Sequence, residues 1–348
     1  MLIRLGRLAV TGITAALVLS ACTGAPGTPA SAAKSQAAGS PAASPPPEFS
    51  TPPIPTETPR PASTTFSATL AQWRLPTPVT RAVGLSSGAN LLLIGGLFDS
   101  GISSAAITDI NPATGQNRPL GILARGVHDA GGAHLGGRYF IFGGGGASVL
   151  DAVQSFLPGE TRAAVVSRLP QLRADLSVAA SGQGGPAYLV GGFDGTHPSP
   201  AVLRTTDGTT FTTLARLAQP VRYAAAAALG QQLWVFGGTV GATPTDVIQR
   251  VDTRTGAAAV VGHLPVALNE AAAVVVGGTI LVLGGVVDGQ PSSAIWRLDP
   301  ATGHVIRAGT LPEAVAMPAA VVVDGVAYLL GGENPAALAT VIEIRPTN

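Results

Sequence analysis

Ile280-Leu281-Val282-Leu283-Gly284-Gly285, followed by Asp299-Pro300-Ala301-Thr302-Gly303 and then by Leu311-Pro312, is the stretch whose pattern decides the fold. The first run is apolar at every position before its glycines. That implies a strand buried on both faces, and the run is too short for a helix or a membrane span. The Asp-Pro segment has the composition of a tight turn, with proline presetting φ and glycine closing it.

Working outward, the same run recurs at 91–96, 139–144, 187–192, 233–238 and 327–332. The first paired glycines fall at 95, 143, 191, 237, 284 and 331, so the intervals are 48, 48, 46, 47 and 47 residues. A second marker keeps phase with them: Leu75-Pro76, Leu123-Ala124, Leu169-Pro170, Leu217-Ala218, Leu264-Pro265 and Leu311-Pro312. Each unit reads as four strands: an Ala/Val-rich one, the apolar one ending in Gly-Gly, one before the turn and one ending at the Leu-Pro marker. A sheet this small must bury its faces against the next, and only a closed ring leaves none bare, so the pattern predicts an all-β, six-bladed β-propeller. The last unit stops after a third strand, Thr340 to Arg345, whereas Phe66 to Arg74 is a strand without a blade. The N-terminal strand is therefore expected to complete the sixth blade.

With these markers in place, residues 65–348 resemble the kelch repeat, which combines an apolar strand, Gly-Gly, a later Asp-Pro-x-Thr-Gly turn and a Leu-Pro ending. The chain departs from that pattern where the repeat usually has a tyrosine and a tryptophan: Leu298 and Val305 stand there in the fifth unit, and Phe211 is the nearest aromatic equivalent in the third. The resemblance is specific for architecture and poor for function, since such propellers include enzymes and binding modules.

The N-terminal part reads differently. Arg4 and Arg7 precede an apolar stretch from Leu8 to Leu19, and Leu19-Ser20-Ala21-Cys22 follows, which resembles a bacterial lipobox. Residues 1–21 are expected to be a lipoprotein signal peptide and Cys22 the acylated anchor, holding the protein on the outer face of the cytoplasmic membrane or elsewhere in the envelope. Residues 22–64 are rich in Pro, Ala, Ser, Thr and Gly, cannot offset their ordering entropy by burial, and are expected to be a tether. Cys22 is the only cysteine of the chain, so the propeller has no thiol catalyst, disulfide or cysteine-based zinc site. Only 11% of the 348 residues are charged and the formal net charge is +1, which gives no field to gather nucleic acid. The propeller is expected to be a monomer.

Candidate functional residues come from the link leading into each innermost strand. Five or six residues past the Leu-Pro markers stand Arg81, His128 and Asp129, Asp175, Arg222 and Tyr223, Asn269 and Glu270, and Met317, with Arg173 slightly earlier in its link. A strand otherwise made of Ala and Val has no packing need for such side chains, so they are the candidate ligand-binding ring. The loops after Gly-Gly carry Asp99, Asp194, His197, Asp288, Glu333 and Asn334, where aspartates favour Asx turns. His134, His263 and His304 show no metal-ligand spacing, and neither metal nor cofactor is expected. Thr205 to Phe211 faintly resembles the Asp-box turn of sialidases, a structural element there. The face carrying the short turns offers little to bind with on this reading.

The leading expectation is a non-catalytic interaction module for a glycan, peptide or envelope protein. The kelch resemblance also implies enzyme precedents. The galactose-oxidase type needs copper and a tyrosine–cysteine cross-link, which a propeller without cysteine cannot supply. The periplasmic sialic-acid mutarotase type would use Arg81, Arg173 and Arg222 on a sugar carboxylate, with Glu270 as base and His128 or Tyr223 as acid.

Overall fold

The computed structural model describes residues 65–182 and 184–347. The signal segment, Cys22 and the tether expected above lie outside them. Among the described residues there is no helix; six four-stranded antiparallel sheets form the blades. Blade 1 comprises Val83–Ser87, Asn90–Ile94, Ala106–Ile110 and Asn117–Ile122; blade 2, Gly131–Leu135, Arg138–Phe142, Ala152–Phe156 and Ala164–Arg168; blade 3, Ser177–Ala180, Ala187–Val190, Ala201–Thr205 and Thr212–Arg216. Blade 4 comprises Ala225–Leu229, Gln232–Phe236, Val247–Asp252 and Ala258–His263; blade 5, Ala272–Val276, Thr279–Leu283, Ala294–Leu298 and Val305–Thr310. Blade 6 is built from Ala319–Val323, Val326–Leu330 and Val341–Pro346, and its outermost strand is Phe66–Leu70, paired antiparallel from Phe66 opposite Pro346 to Leu70 opposite Ile342. Both ends of the folded chain thus share one sheet, as the strand count required. Each innermost strand touches the innermost strands of both neighbours, blade 6 against blade 1 included, so the ring is closed.

The alternation of side chains along the second strands explains why these runs are apolar throughout. In blade 1, Leu91 and Leu93 pack toward blade 6, and Leu92 and Ile94 toward blade 2. Six hydrophobic clusters result among the described residues, one in each interface between blades. Each fully buried aliphatic side chain contributes roughly 1.5–3 kcal/mol, so the interfaces rather than the individual sheets hold the ring together.

The glycine pair is a hydrogen-bonding device between blades. The second glycine of each pair donates its N–H to a carbonyl in the link to the next blade: Gly96 to Val127, Gly144 to Arg173, Gly192 to Val221, Gly238 to Leu268, Gly285 to Val315 and Gly332 to Val79, all at 2.8–2.9 Å. The same carbonyl lies against the first glycine, where a Cβ on Gly237 would collide with the oxygen of Leu268. Gly237 also has φ of 57°, so two independent constraints select glycine there.

Two buried glutamines, unremarkable in sequence, tie links to blades. Gln154 accepts from the Arg125 N–H (2.8 Å) and donates to the Arg125 carbonyl (3.1 Å); Gln249 does the same with Gln219 (2.9 and 3.0 Å). Both sit at a register shift between the third and fourth strands of their blades.

Gly230 has φ of 59° but open space around it, which makes it the natural control for Gly237. Urea melts should show Gly230→Ala costing about 1 kcal/mol, the left-handed penalty alone, and Gly237→Ala costing at least about 2 kcal/mol more through the carbonyl collision. Equal costs would remove the close approach from the account of the repeat.

Candidate functional site

Each link from a Leu-Pro marker brings the chain to the ring axis, where one residue adopts positive φ: Arg81 (58°), Asp129 (50°), Asp175 (55°), Tyr223 (55°), Glu270 (61°) and Met317 (51°). Their backbones are joined head to tail. Asp129 donates its N–H to the Arg81 carbonyl (3.1 Å), Asp175 to Asp129 (3.0 Å), Tyr223 to Asp175 (2.9 Å), Glu270 to Tyr223 (2.9 Å), Met317 to Glu270 (2.9 Å) and Arg81 to Met317 (3.1 Å). The circle of six bonds surrounds the axis and turns the six side chains toward it. A left-handed backbone costs about 1–2 kcal/mol for most L-residues and suits Gly, Asn or Asp. Arg81, Tyr223, Glu270 and Met317 are therefore not what the backbone alone would select.

These six residues line one cavity of about 120 Å³ at the mouth of the central channel. Five of them, all but Met317, are among the candidate ligand residues read from the sequence. Beyond the collar the channel widens into a shaft of about 710 Å³, walled by small residues such as Gly84, Gly132, Ala179, Ala227, Ala273 and Ala320.

The residue preceding each collar position forms a β-bridge with the residue just after Gly-Gly; His128 bridges Gly145, Arg222 bridges Thr239 and Asn269 bridges Val286. Their side chains back the collar from outside. His128 shares a hydrogen bond between Nδ1 and the Ser103 hydroxyl (2.9 Å), and its Nε2 lies 3.8 Å from Asp129 Oδ2. Asn269 donates to Thr239 Oγ1 (3.2 Å). Arg222 stacks on two rings, its guanidinium carbon 4.7 Å from the centroid of Phe193 and 5.0 Å from that of Tyr223, and pairs with Asp175 at 3.4 Å.

Arg173 does not join this group. Its side chain is only 2% exposed and donates to Ser199 Oγ and the Ala201 carbonyl, both at 3.2 Å. Lying earlier in its link, it turns into blade 3 instead of toward the axis, and burial lowers its pKa to about 10. Conversely, Glu333 stands close to the collar although the sequence placed it merely in a loop. It accepts from Arg81 at 3.3 and 3.4 Å and from the Thr80 hydroxyl at 3.0 Å. Its place directly after Gly331-Gly332, bridged to Ala316, is the signal that could have found it. Of the other loop residues, Asp194 forms the expected Asx turn, accepting from Thr196 and His197 at 2.7 Å, whereas Asp99 accepts from the Ala337 N–H of blade 6. Asp207 closes the Asp-box-like turn through the N–H groups of Thr209 and Thr210. Among the described residues no three His, Cys, Asp or Glu side chains are placed to hold a metal ion.

Electrostatically the collar sets two guanidiniums, Arg81 and Arg222, against Asp129, Asp175, Glu270 and Glu333. Burial pushes Asp129 up to about 6 although Arg81, 3.2 Å away, opposes it. Asp175 rises to about 6 through burial and the neighbouring Asp129 charge. Burial raises Glu270 too, and it raises Tyr223 with help from the two aspartates. Burial works against the charge of Arg81, but Asp129 and Glu333 outweigh it and hold the guanidinium protonated; burial and Arg81 together lower His128 and favour its neutral form. Such a site presents paired donors and acceptors around a small opening. Two of its carboxyls are able to exchange a proton near neutral pH.

A family model described as the Kelch motif matches residues 267–312, which run from the link entering blade 5 to its Leu-Pro marker. No curated protein matches the sequence. Among solved structures, one titled "Structure of YjhT" superposes with a TM-score of 0.66 at 14% identity, covering 78% of this chain and 95% of that one. At that identity the likeness speaks to fold alone. Strand order and structural likeness agree that the chain is a six-bladed β-propeller, and its residues 267–312 match the Kelch motif.

Proposed function

We propose that the propeller is a non-catalytic binding module, carried on a lipid anchor at Cys22 outside the cytoplasmic membrane, whose collar takes the end of a hydroxyl-rich chain such as a glycan. The observation that carries this reading is the occupancy of the collar: large polar side chains stand at left-handed positions where glycine would cost less, and they converge on one cavity. The Arg81–Asp129 pair lines the cavity and keeps N–H groups and lone pairs unspent, which adjacent hydroxyls of a sugar can bridge. Tyr223 lines the same cavity.

A second reading, a carbohydrate-active enzyme resembling sialic-acid mutarotases, draws on Asp129 and Asp175, whose carboxyls titrate near 6 and so could pass a proton. Against it stand the arginines. Arg81 and Arg222 are already neutralised by carboxylates and Arg173 is buried elsewhere, which leaves a sugar carboxylate without an unclaimed partner.

Substituting a collar residue by glycine separates a ligand role from a structural one. For Glu270→Gly, thermal and urea melts of the full chain should stay within about 0.5 kcal/mol of the parent or rise above it, because left-handed strain is relieved. In a screen of neutral, amino and acidic glycans the same variant should lose at least about tenfold in affinity for whatever the parent binds. Destabilisation with binding intact would make the collar a structural plug. Acceleration of anomer exchange by the parent chain would instead favour the enzyme.

The raised carboxyls also set a pH dependence. A carboxyl whose pKa is higher folded than unfolded contributes stability that is fully present below the unfolded value, near 3.8, and is lost as the pH rises through about 6. Stability should therefore increase as the pH falls from 7 to 4.5, by about 2 kcal/mol per group. Asp129→Asn should flatten that slope in urea melts across the window; an unchanged slope would show that the carboxyl ionises freely.

A further inference from the structure

The opposite face carries a groove that the turn-based reading had dismissed. It lies between blades 3 and 4, has a volume of about 460 Å³ and contains Arg204 and Arg254, with Thr212 and Thr213 on one bank, Thr253 and Thr255 on the other and Tyr188 at its side. Arg204 belongs to the third strand of blade 3 and pairs in register with Tyr188, whose ring packs in the interface with blade 4. Arg254 sits in the third-to-fourth turn of blade 4, whose backbone is held by Asp252 through the N–H groups of Arg254 and Thr255 (2.9 and 2.8 Å). Among the described residues, neither guanidinium has a carboxylate within 4.0 Å or a hydrogen-bond acceptor of its own.

The repeat supplies internal references for judging these two charges. The place of Arg204, opposite the third residue before Gly-Gly, is held by Asp109 in blade 1, Ser155 in blade 2, Arg250 in blade 4, Arg297 in blade 5 and Glu343 in blade 6. Where that residue is charged it often has company: Asp109 pairs with Arg118, Glu343 with Arg345, and Arg250 lies over the Trp234 ring. The place of Arg254 in the turn is taken by Ala113 in blade 1 and Ala301 in blade 5. Arginine thus recurs at the strand position in blades 3, 4 and 5, whereas the turn position holds alanine in blades 1 and 5; what is particular to this groove is the meeting of Arg204 with Arg254, two cations that repel each other.

We propose that this groove is a second binding site, distinct from the collar, for an oxyanion carried on a glycan chain, a sulfate or phosphate ester. Two guanidinium forks arriving from different blades match the spread oxygens of such a group, and threonine hydroxyls flank it to meet the sugar hydroxyls. The collar, with its carboxylate excess, rejects the same ligand. The two faces then read different chemistry, uncharged or amine-bearing groups above and anionic ones below.

Dextran sulfate, uncharged dextran and inorganic sulfate, titrated against the full chain by calorimetry at low salt, provide the test. Dextran sulfate should bind, with dextran inert; binding by inorganic sulfate at equal sulfate concentration with the same affinity would overturn the glycan part of the proposal. Arg204→Ala with Arg254→Ala should weaken dextran sulfate by at least about tenfold, the worth of lost charge-assisted bonds. Arg250→Ala with Arg297→Ala removes the same charge from neighbouring blades and should change affinity less than about threefold. Equal losses in both double variants, or no binding by the parent, would overturn the site. Arg254→Ala alone, in an exposed turn, gives the same sign of effect without endangering the fold.

Discussion

The circle of six backbone hydrogen bonds at the axis, from Arg81 through Asp129, Asp175, Tyr223 and Glu270 to Met317 and back, is the constraint on which the rest of the architecture depends. A circle of head-to-tail bonds closes only if every blade delivers a donor and an acceptor at one radius, and the near-constant repeat of 46–48 residues is how the chain meets that condition. Each member must adopt positive φ to present both groups, so the strain of six left-handed residues is built into closure. Met317 supports this view: it has no polar contribution to make, yet it takes the same backbone conformation and the same place in the circle.

A second set of bonds, from the glycine pairs to the next link, lies outside the first and involves the residues just ahead of the collar. Val127, Arg173, Val221, Leu268, Val315 and Val79 lend their carbonyls to the neighbouring Gly-Gly, and two residues later the chain enters the inner circle. Each link is held at two points less than one turn of chain apart. The collar side chains are consequently fixed by backbone bonding on a rigid element, a better support for a binding site than a free loop gives. That is why polar residues with little packing of their own, Glu270 above all, still converge.

Much of this was legible in the sequence. The Gly-Gly period, the Leu-Pro markers and the orphan strand at Phe66 led to six blades and to the shared sheet at the seam, because each marker reflects a local backbone requirement that repeats. The collar was legible for the same reason: polar side chains at one phase of an apolar repeat stand out. What escaped depended on contacts across blades. Arg173 differs from its collar neighbours by two residues of phase, enough to send its side chain to Ser199 and into blade 3. Gln154 and Gln249 resemble any polar strand residue until their links are seen folded against them. Arg204 and Arg254 lie 50 residues apart and meet only because adjacent blades do.

A repeat protein also sharpens functional reasoning, since every position has equivalents under nearly the same structural demand. A residue type shared around the ring answers to the fold, as the glycine pairs do. A residue type present once, at a place where its equivalents are small or neutralised, answers to something else. By that standard Asp99 and Asp194, which cap backbone N–H groups, answer to the fold, whereas Arg254, whose turn equivalents in blades 1 and 5 are alanines, does not. The collar and the lower groove carry opposite charge on opposite faces, so a single ligand type cannot satisfy both. On the proposed reading of the two sites, such a difference between faces would let one module engage two chemistries at once, a property that comes from where the repeat is broken and not from the propeller fold itself.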